Sequence, residues 1–232
     1  PMIYYPLSTL MLAGIKEFLV IVNPPHLDSF KSLLGDGKKW GISIDYAVQK
    51  NPEGLAQAFL IAEDFIDNKS SVLILGDNLY HGNDLTPQLL KANQKEKGAT
   101  IFVYPVSDPQ RYGVAEFDNN KKVVNLEEKP KKPKSRYAVT GIYFFDNTAV
   151  SKAKNIKPSS RGELEITSLN NLFLKENNLY VEIMGRGMAW LDTGTFDSLH
   201  QAGTYIRLLE RRQGLKVGCP EEIAWRNGWI SK

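Results

Sequence analysis

The chain has 232 residues and a mass of 26.1 kDa, enough for one large domain. Its 42% hydrophobic and 24% charged residues are ordinary globular usage, which excludes disordered and fibrous classes. The net charge of +3 is too small for a protein that coats nucleic acid. The single cysteine, Cys219, excludes an internal disulfide and favours a location in the reducing cytoplasm.

An apolar stretch opens the chain, from Pro1 to Ile15. It is shorter than the roughly 20 apolar residues that span a bilayer, and it lacks the basic leader of a signal peptide. We therefore predict a core helix that ends near Gly14 and no membrane partner.

Strands and helices alternate through the first half of the chain. Unbroken apolar runs rich in β-branched residues are typical of strands covered on both faces. This order predicts an α/β fold with a mostly parallel mixed sheet flanked by helices, in one domain spanning 1–232. The predicted strands are 18–22, 44–48, 71–75 and 100–104, and the predicted helices are 27–34, 53–66 and 84–96.

Short strands with few helices between them follow, at 112–117, 121–128 and 137–145. Alternation places Val124, Leu126 and Glu128 on the more apolar face of the second of these strands. A carboxylate pointing inward at a strand end needs a partner, such as a sugar hydroxyl, unless the strand end is solvated. Two later helices are predicted at 161–176, behind a capping-box pattern at 160–163, and at 196–212.

Two carboxylates follow apolar segments at positions where open α/β sheets bind ligands. Asp77 comes after the strand 71–75, and Asp192 ends a short apolar segment. Mg²⁺ favours one or two carboxylates and completes its shell with water and phosphate oxygens. The alternatives are that Asp77 caps a turn and that Asp192 caps the helix behind it.

A glycine, Gly54, lies inside the predicted helix 53–66, where it costs about 1 kcal/mol relative to alanine. One interpretation is that the backbone at this position comes close to a ligand, which requires a glycine. The alternative is that the glycine is tolerated at a frayed helix end. The basic residues between 131 and 136 are interpreted as an exposed loop rather than a phosphate site.

Several catalytic motifs are missing from the sequence. It contains no G-x-x-x-x-G-K-[ST] loop, no G-x-G-x-x-G after a strand, no G-x-S-x-G elbow and no Cys–His pair in a recognisable context. A covalent nucleophile from the protein is therefore not expected, and any reaction has to use a nucleophile that the substrate brings.

Six segments, taken together and in this order, resemble the glucose-1-phosphate thymidylyltransferase family over essentially the whole chain. Each segment alone is weak evidence for the family, but the occurrence of all six in the same order is specific evidence. They are Gly76-Asp77-Asn78, Arg111-Tyr112-Gly113-Val114, Glu127-Glu128-Lys129-Pro130, Tyr137-Ala138-Val139-Thr140-Gly141, Arg161-Gly162-Glu163-Leu164-Glu165-Ile166-Thr167 and Trp190-Leu191-Asp192-Thr193-Gly194-Thr195.

The resemblance implies a Rossmann-like nucleotidyltransferase that joins dTTP to α-D-glucose 1-phosphate, giving dTDP-glucose and pyrophosphate. It implies that Asp77 and Asp192 hold Mg²⁺, and that the catalytic residues Lys129 and Arg161 bind the sugar phosphate. The other implied substrate contacts are Gln49 and Gly54 for thymine, and Tyr112, Gly113, Glu128 and Val139 for glucose.

The resemblance also implies a cytoplasmic homotetramer that supplies dTDP-rhamnose and polysaccharide biosynthesis and is inhibited by dTDP-rhamnose. No nucleic acid or membrane partner is expected. The candidates for the inhibitor site are Tyr80, Gly82, Glu222, Ile223 and Arg226.

One departure from the family pattern concerns the two ends of the chain. Family members begin with a strand and a G-G-x-G-T-R loop, which are not found ahead of Pro1, and they continue beyond Lys232 into a helical C-terminus. We therefore expect that residues 1–232 lack a central strand, whose two neighbours expose unpaired edges. Made alone, they are expected to bind dTTP poorly and to be inactive or prone to aggregation.

Three other functions remain as alternatives. A related pyrophosphorylase that uses UTP is the nearest one, because the choice of base depends on a few contacts around Gln49. A non-catalytic sugar-nucleotide-binding remnant is the second. A metal-dependent glycosyltransferase is disfavoured, because Asp77-Asn78-Leu79 stands where that class places D-x-D.

Overall fold

Ten strands form the framework of the computed structural model, which describes residues 1–231. They are β1 (Glu17–Val22), β2 (Ser43–Val48), β3 (Ser71–Ile74), β4 (Asn78–His81), β5 (Ala99–Pro105), β6 (Gly113–Phe117), β7 (Val123–Glu128), β8 (Tyr137–Phe145), β9 (Leu179–Ile183) and β10 (Ala189–Asp192). Six of them form one sheet in the order β7-β6-β8-β5-β9, with β3 also paired to β8. The pairs β1–β2 and β4–β10 are separate ladders.

Helices cover both faces of this framework. They are α1 (Tyr4–Leu12), α2 (Leu27–Leu34), α3 (Gln57–Ile61), α4 (Glu63–Ile66), α5 (Leu85–Asn93), α6 (Ala149–Ala153), α7 (Ile166–Lys175), α8 (Phe196–Gln213) and α9 (Pro220–Arg226). Successive residues of β8 point to opposite faces. Ile142 and Phe144 therefore enter one apolar core with α1 and α5, whereas Tyr143 and Phe145 enter a second core with α3, α6 and α7.

The predicted α/β fold with a mixed sheet flanked by helices is confirmed, but the pairing within the sheet needs a correction. Among the described strands, only β1–β2 and β5–β9 are parallel pairs. The long strand β8 runs antiparallel to β3, β5 and β6, and it separates β3 from β5. A mostly parallel sheet was expected because the alternation of strands and helices does not reveal a later strand that inserts between two earlier ones.

The seven predicted strands are all present, with ends within two residues of those observed. Three strands, β4, β9 and β10, are not among the predictions. Each of the three has only four or five residues, too few for a clear pattern. The predicted single domain stays a prediction.

The opening apolar stretch forms α1, with six of its nine residues buried. Gly14 follows it with φ +83°, as predicted for a helix terminator. Within residues 1–231, no helix combines the length and the apolar content needed to cross a membrane.

Two predicted helices begin later than expected. The segment 53–66 becomes helical only at Gln57 and is divided into α3 and α4. The segment 161–176 becomes helical only at Ile166, without a side-chain cap. The capping box predicted at 160–163 is absent, because Gly162 has φ +78° and a hydrogen bond from Ser159 N to Glu163 O closes a turn there.

A bulge changes the predicted faces of β7. Phe117 lies opposite Val123 and Glu116 lies opposite Asn125, so Val124 is left over on the β7 side. Val124 is consequently exposed while Val123 is buried, the reverse of the prediction. Beyond the bulge, Leu126 is buried and Glu128 is half-buried at the strand end, as expected.

Candidate active site

The two carboxylates predicted to hold a metal lie side by side. Asp192 ends β10 and lies opposite Asn78 of β4, directly after Asp77. Both the amide and the hydroxyl of Thr193 donate to the carbonyl oxygen of Asp77, at 3.0 and 2.7 Å. The position that a Cβ would take on Gly194 is 3.2 Å from Asp192 Oδ1 and 3.6 Å from Asp77 Oδ2. The β4–β10 ladder therefore unites two carboxylates that are distant in sequence.

The electrostatics of this pair favour a bound cation. Burial raises the pKa of Asp192, and the negative charge of Asp77 raises it further, against a hydrogen bond from Gly194 N. Within residues 1–231, no group of three or more His, Cys, Asp or Glu side chains could hold a metal. Two carboxylates side by side fit Mg²⁺, which takes its remaining ligands from water and phosphate.

A buried asparagine orients the acidic pair. Asn78 is 1% exposed, donates from Nδ2 to Asp77 Oδ1 at 2.8 Å, and accepts from Trp190 Nε1 at 2.6 Å. The indole of Trp190 lies edge-on to the ring of Tyr112, with centroids 5.0 Å apart. Asn78 and Trp190 therefore connect the acidic pair to the next part of the site.

Glu128 and Val139, both predicted to contact glucose, lie close to Gly113, a third predicted glucose contact. The β6–β7 ladder places Gly113 opposite Glu128. A Cβ on Gly113 would lie 3.3 Å from Glu128 Oε2 and 3.8 Å from Val139 Cβ. It would also lie 3.1 Å from the hydroxyl of Thr167, which donates to Glu128. The glycine thus leaves room beside a fixed, half-buried carboxylate.

Arg161 lies against this pocket and is held by acidic neighbours. Its Nη2 is 2.9 Å from both carboxylate oxygens of Glu165 and 3.8 Å from Glu128 Oε1. Hydrogen bonding to the buried carboxylate of Glu165 raises the pKa of Arg161. Glu163 binds the same nitrogen at 3.0 Å from the exposed side. The guanidinium is therefore fixed beside Glu128 while remaining accessible.

Lys129 follows Glu128 in a rare backbone conformation, with φ +45°. Its amide donates to the carbonyl of Tyr112 at 3.0 Å, which extends the β6–β7 ladder by one bond. The side chain is exposed. The left-handed turn ends the strand and directs the lysine away from the ladder.

Gln49 and Gly54 lie in a loop that is attached to the loop of Arg161. The side-chain amide nitrogen Nε2 of Gln49 donates to Gln57 Oε1 at 2.5 Å. Gly54 has φ +107°, and a Cβ there would lie 2.5 Å from the backbone of Leu164. The prediction that Gly54 lies inside a helix is therefore corrected: it precedes the helix, and its close neighbour in the structure is the backbone of Leu164. Its contact with thymine stays a prediction.

The five candidates for a second site pack around α1. Tyr80 and Gly82 belong to β4 and the turn behind it, and β4 contacts α1 on one side. Glu222, Ile223 and Arg226 belong to α9, which contacts α1 as well. Tyr80 and Ile223 are buried, and Glu222 pairs with Arg226 at 2.8 Å. A glycine is needed at position 82 because a Cβ there would collide with the sulfur of Met188.

Four residues with no assigned role belong to the site by position. Asn78, Glu165 and Thr167 make the hydrogen bonds described above. The guanidinium of Arg111 lies 5.4 Å from the centre of the Tyr112 ring, and its positive charge partly offsets the rise in the pKa of Asp192 that burial causes. All four stand in the six recognised segments, but only the fold shows which atoms they contact.

Comparisons with known proteins agree with this geometry. The family model described as nucleotidyl transferase matches residues 1–207. Relatives named glucose-1-phosphate thymidylyltransferase include that of Xanthomonas campestris, 58% identical over 99% of this chain and 78% of the relative. That of Neisseria meningitidis is 56% identical over 100% and 80%, respectively. The chain belongs to the glucose-1-phosphate thymidylyltransferase family.

The fold of this chain is also similar to that of solved structures. A Bacillus anthracis protein described as a glucose-1-phosphate thymidylyltransferase, in complex with sucrose, has a TM-score of 0.82 and 42% identity. The match covers 89% of this chain and 82% of that one. A UDP-glucose pyrophosphorylase complexed with UDP-glucose has a TM-score of 0.76 at 20% identity, and therefore shows the fold alone.

Proposed function

We propose that this member of the family joins dTTP to α-D-glucose 1-phosphate and releases pyrophosphate, forming dTDP-glucose. Relatives of that name match it over nearly its whole length. The observation that carries the proposal is the contact between Tyr112 and Trp190, because it joins the acidic pair to the pocket around Gly113. A nucleotide phosphate and a sugar can therefore be bound next to each other.

The reaction needs no nucleophile from the protein. A phosphate oxygen of glucose 1-phosphate attacks the α-phosphorus of dTTP, a new P–O bond forms, and pyrophosphate leaves with the electrons of the broken P–O bond. Both reactants are polyanions, so the protein has to align them and offset their charge. Arg161 lies beside Glu128, the carboxylate that binds the sugar in this proposal, and Lys129 follows Glu128 in the chain. The two cations hold the sugar phosphate.

The sugar ring is recognised by the pocket around Gly113. Glu128 accepts hydrogen bonds from sugar hydroxyls, and the hydroxyl of Thr167 holds its carboxylate in place. Val139 and the ring of Tyr112 supply apolar walls, while Gly113 provides the space. A fixed carboxylate between apolar walls is typical of a site that selects one arrangement of hydroxyls.

Thymine is read by the loop of Gln49 and Gly54. Gln57 orients the amide of Gln49, and Glu53 in turn accepts from Gln57 at 2.9 Å. The backbone at Leu164 fixes Gly54, so the base is held next to the loop of Arg161.

Asp77 and Asp192 hold Mg²⁺ in this proposal. The bound ion supplies charge neutralisation at the nucleotide phosphates. Burial, and then the negative charge of Asp77, raise the pKa of Asp192, and a divalent cation beside the pair would favour the ionised carboxylate against both effects. We further propose a cytoplasmic homotetramer, inhibited by dTDP-rhamnose at the residues grouped around α1.

The test measures pyrophosphate release by the full-length gene product that contains this chain, from each of five nucleoside triphosphates with glucose 1-phosphate and Mg²⁺. Calorimetric titration with glucose 1-phosphate is run in parallel, because it does not depend on turnover. We expect the fastest release with dTTP and binding of the sugar phosphate. Fastest release with UTP contradicts the choice of base, and absence of sugar-phosphate binding contradicts the proposed site.

A further inference from the structure

Three side chains at the loop of Gln49 form a chain of hydrogen bonds that ends on a carboxylate. Gln57 Nε2 donates to Glu53 Oε2 at 2.9 Å, and Gln57 Oε1 accepts from Gln49 Nε2 at 2.5 Å. The same oxygen of Gln57 accepts from the backbone N–H of Glu53 at 3.2 Å. Gln49 and Gln57 are half-buried, whereas Glu53 is exposed. The hydrogen bonds therefore lead from the surface to the side chain that is proposed to contact the base.

The two contacts with Glu53 determine which way the amide of Gln57 faces. An ionised carboxylate only accepts hydrogen bonds and a backbone N–H only donates them, whereas a glutamine amide does both. If the amide of Gln57 turned over, its oxygen would face the carboxylate and its nitrogen would face the backbone N–H, so both hydrogen bonds would be lost. Gln57 is consequently held with Oε1 towards Gln49.

The fixed oxygen of Gln57 in turn determines the orientation of the Gln49 amide. Gln49 has to turn its donor, Nε2, towards Gln57, and its own Oε1 is therefore directed elsewhere. That Oε1 accepts no hydrogen bond from any residue between 1 and 231, and it is not a buried atom. Gln49 therefore offers a hydrogen-bond acceptor to a ligand.

We propose that Gln57 is a positioning residue that makes the nucleotide site select a base with an N–H at ring position 3. Thymine and uracil have a donor at that position, whereas cytosine has an acceptor there. A glutamine amide that is free to turn over can bind either kind of base, but an amide held by Gln57 can bind only the donor. The inference rests on the proposed contact between Gln49 and the base, and it concerns the ring nitrogen that thymine and uracil share.

Calorimetric titration of the full-length gene product that contains this chain tests the proposal. The ligands are dTTP, dUTP, dCTP and N3-methyl-dTTP, with Mg²⁺ present and glucose 1-phosphate omitted so that no nucleotide is consumed. We expect the wild-type protein to bind dTTP and dUTP roughly tenfold or more tightly than dCTP and N3-methyl-dTTP, because the last two leave the acceptor of Gln49 without a donor. This comparison needs no variant, so it does not depend on the folding of an altered protein.

Two substitutions of Gln57 separate its acceptor from its other contacts. Gln57→Leu removes the oxygen that holds Gln49, and it is expected to reduce the preference for dTTP over dCTP to about threefold or less. Gln57→Glu keeps an acceptor beside Gln49, so it is expected to retain the preference, while its repulsion of Glu53 weakens binding of both nucleotides. Gln201→Leu is the matched control, because Gln201 also donates to an acidic residue four positions earlier, Asp197 in α8.

Loss of the preference in Gln57→Leu, with its retention in Gln57→Glu and Gln201→Leu, supports the proposal. Equal binding of dTTP and N3-methyl-dTTP by the wild-type protein overturns it, as does an unchanged preference in Gln57→Leu. Loss of the preference in Gln57→Glu or in Gln201→Leu also overturns it, because the acceptor is then not what holds Gln49.

Failure of the proposed function gives different results. Tighter binding of dUTP than of dTTP contradicts the choice of thymine, but it supports selection of the N–H at position 3. Absence of glucose 1-phosphate binding contradicts the proposed reaction and leaves the comparison between the four nucleotides unchanged.

Discussion

Arg161 and Glu165 form a two-oxygen ion pair in which one guanidinium nitrogen lies 2.9 Å from each carboxylate oxygen. Glu165 is almost fully buried, whereas Arg161 is exposed. Because the carboxylate of Glu165 is buried, it can affect a bound ligand only through the exposed guanidinium of Arg161 that it holds. We therefore regard Glu165 as a positioning residue for the site that binds the sugar phosphate.

Glu165→Gln is expected to weaken binding of glucose 1-phosphate roughly tenfold, because a neutral amide replaces charge-assisted hydrogen bonds of about 1.5–3 kcal/mol. The dissociation constant is measured by calorimetry. Glu163→Gln is the matched control, since Glu163 touches the same nitrogen from an exposed position. Tighter binding by Glu165→Gln means that the pair restrains Arg161 instead of presenting it.

Asp192→Asn is expected to lower turnover by orders of magnitude while raising the melting temperature at neutral pH. The pKa of Asp192 is raised in the folded protein by burial, then by Asp77. The stability that this group contributes is therefore fully present below its ordinary value of 3.8 and is lost as the pH rises through the folded pKa. Differential scanning calorimetry from acid to neutral pH measures the difference, which shrinks towards zero in acid.

Asp84→Asn serves as the control for that measurement, because Asp84 is exposed. Its melting temperature is expected to change little and without the same dependence on pH. Turnover by Asp192→Asn at the wild-type rate with Mg²⁺ would refute the metal assignment.

Gly113→Ala is expected to weaken glucose 1-phosphate binding by roughly ten- to a hundredfold, since a displacement of about 1 Å at a reacting site has effects of that size. The added methyl lies 3.1 Å from the Thr167 hydroxyl and 3.3 Å from Glu128 Oε2, so one of them has to move. Gly203→Ala is the control. It lies within α8 with nothing within 4 Å, and is expected to stabilise the chain by about 0.5–1 kcal/mol without affecting binding.

Trp190→Phe is expected to lower the free energy of unfolding by about 1–3 kcal/mol, because the buried oxygen of Asn78 loses its donor. The indole is the shorter of two donors to that oxygen, and the remaining one, the hydroxyl of Tyr80, lies 3.5 Å away. The phenyl ring retains the apolar contact with Tyr112. Urea denaturation measures the change, and Mn²⁺ titration followed by electron paramagnetic resonance measures the effect on Asp77. An unchanged metal affinity would show that Asn78 does not need the indole to orient Asp77.

The local pattern was sufficient for the long elements. The strand at 137–145 is a continuous apolar run, and the helix at 196–212 has a start signal and a regular polar face, so each is determined by neighbours in sequence. The six segments that carry the resemblance likewise identified the family. Residues such as Glu128 and Arg161 were found because their segments are recognisable, not because the sequence shows what they touch.

Tertiary structure decided the rest. The antiparallel insertion of β8, the meeting of Asp77 with Asp192 and the contact of Gly54 with Leu164 all join segments that are distant along the chain. Local periodicity contains no information about such contacts, because burial alone does not specify which partner covers a surface. The sequence determined which side chains are proposed to carry the chemistry, and the packing of β4 against β10 and of β6 against β7 determined where those side chains meet.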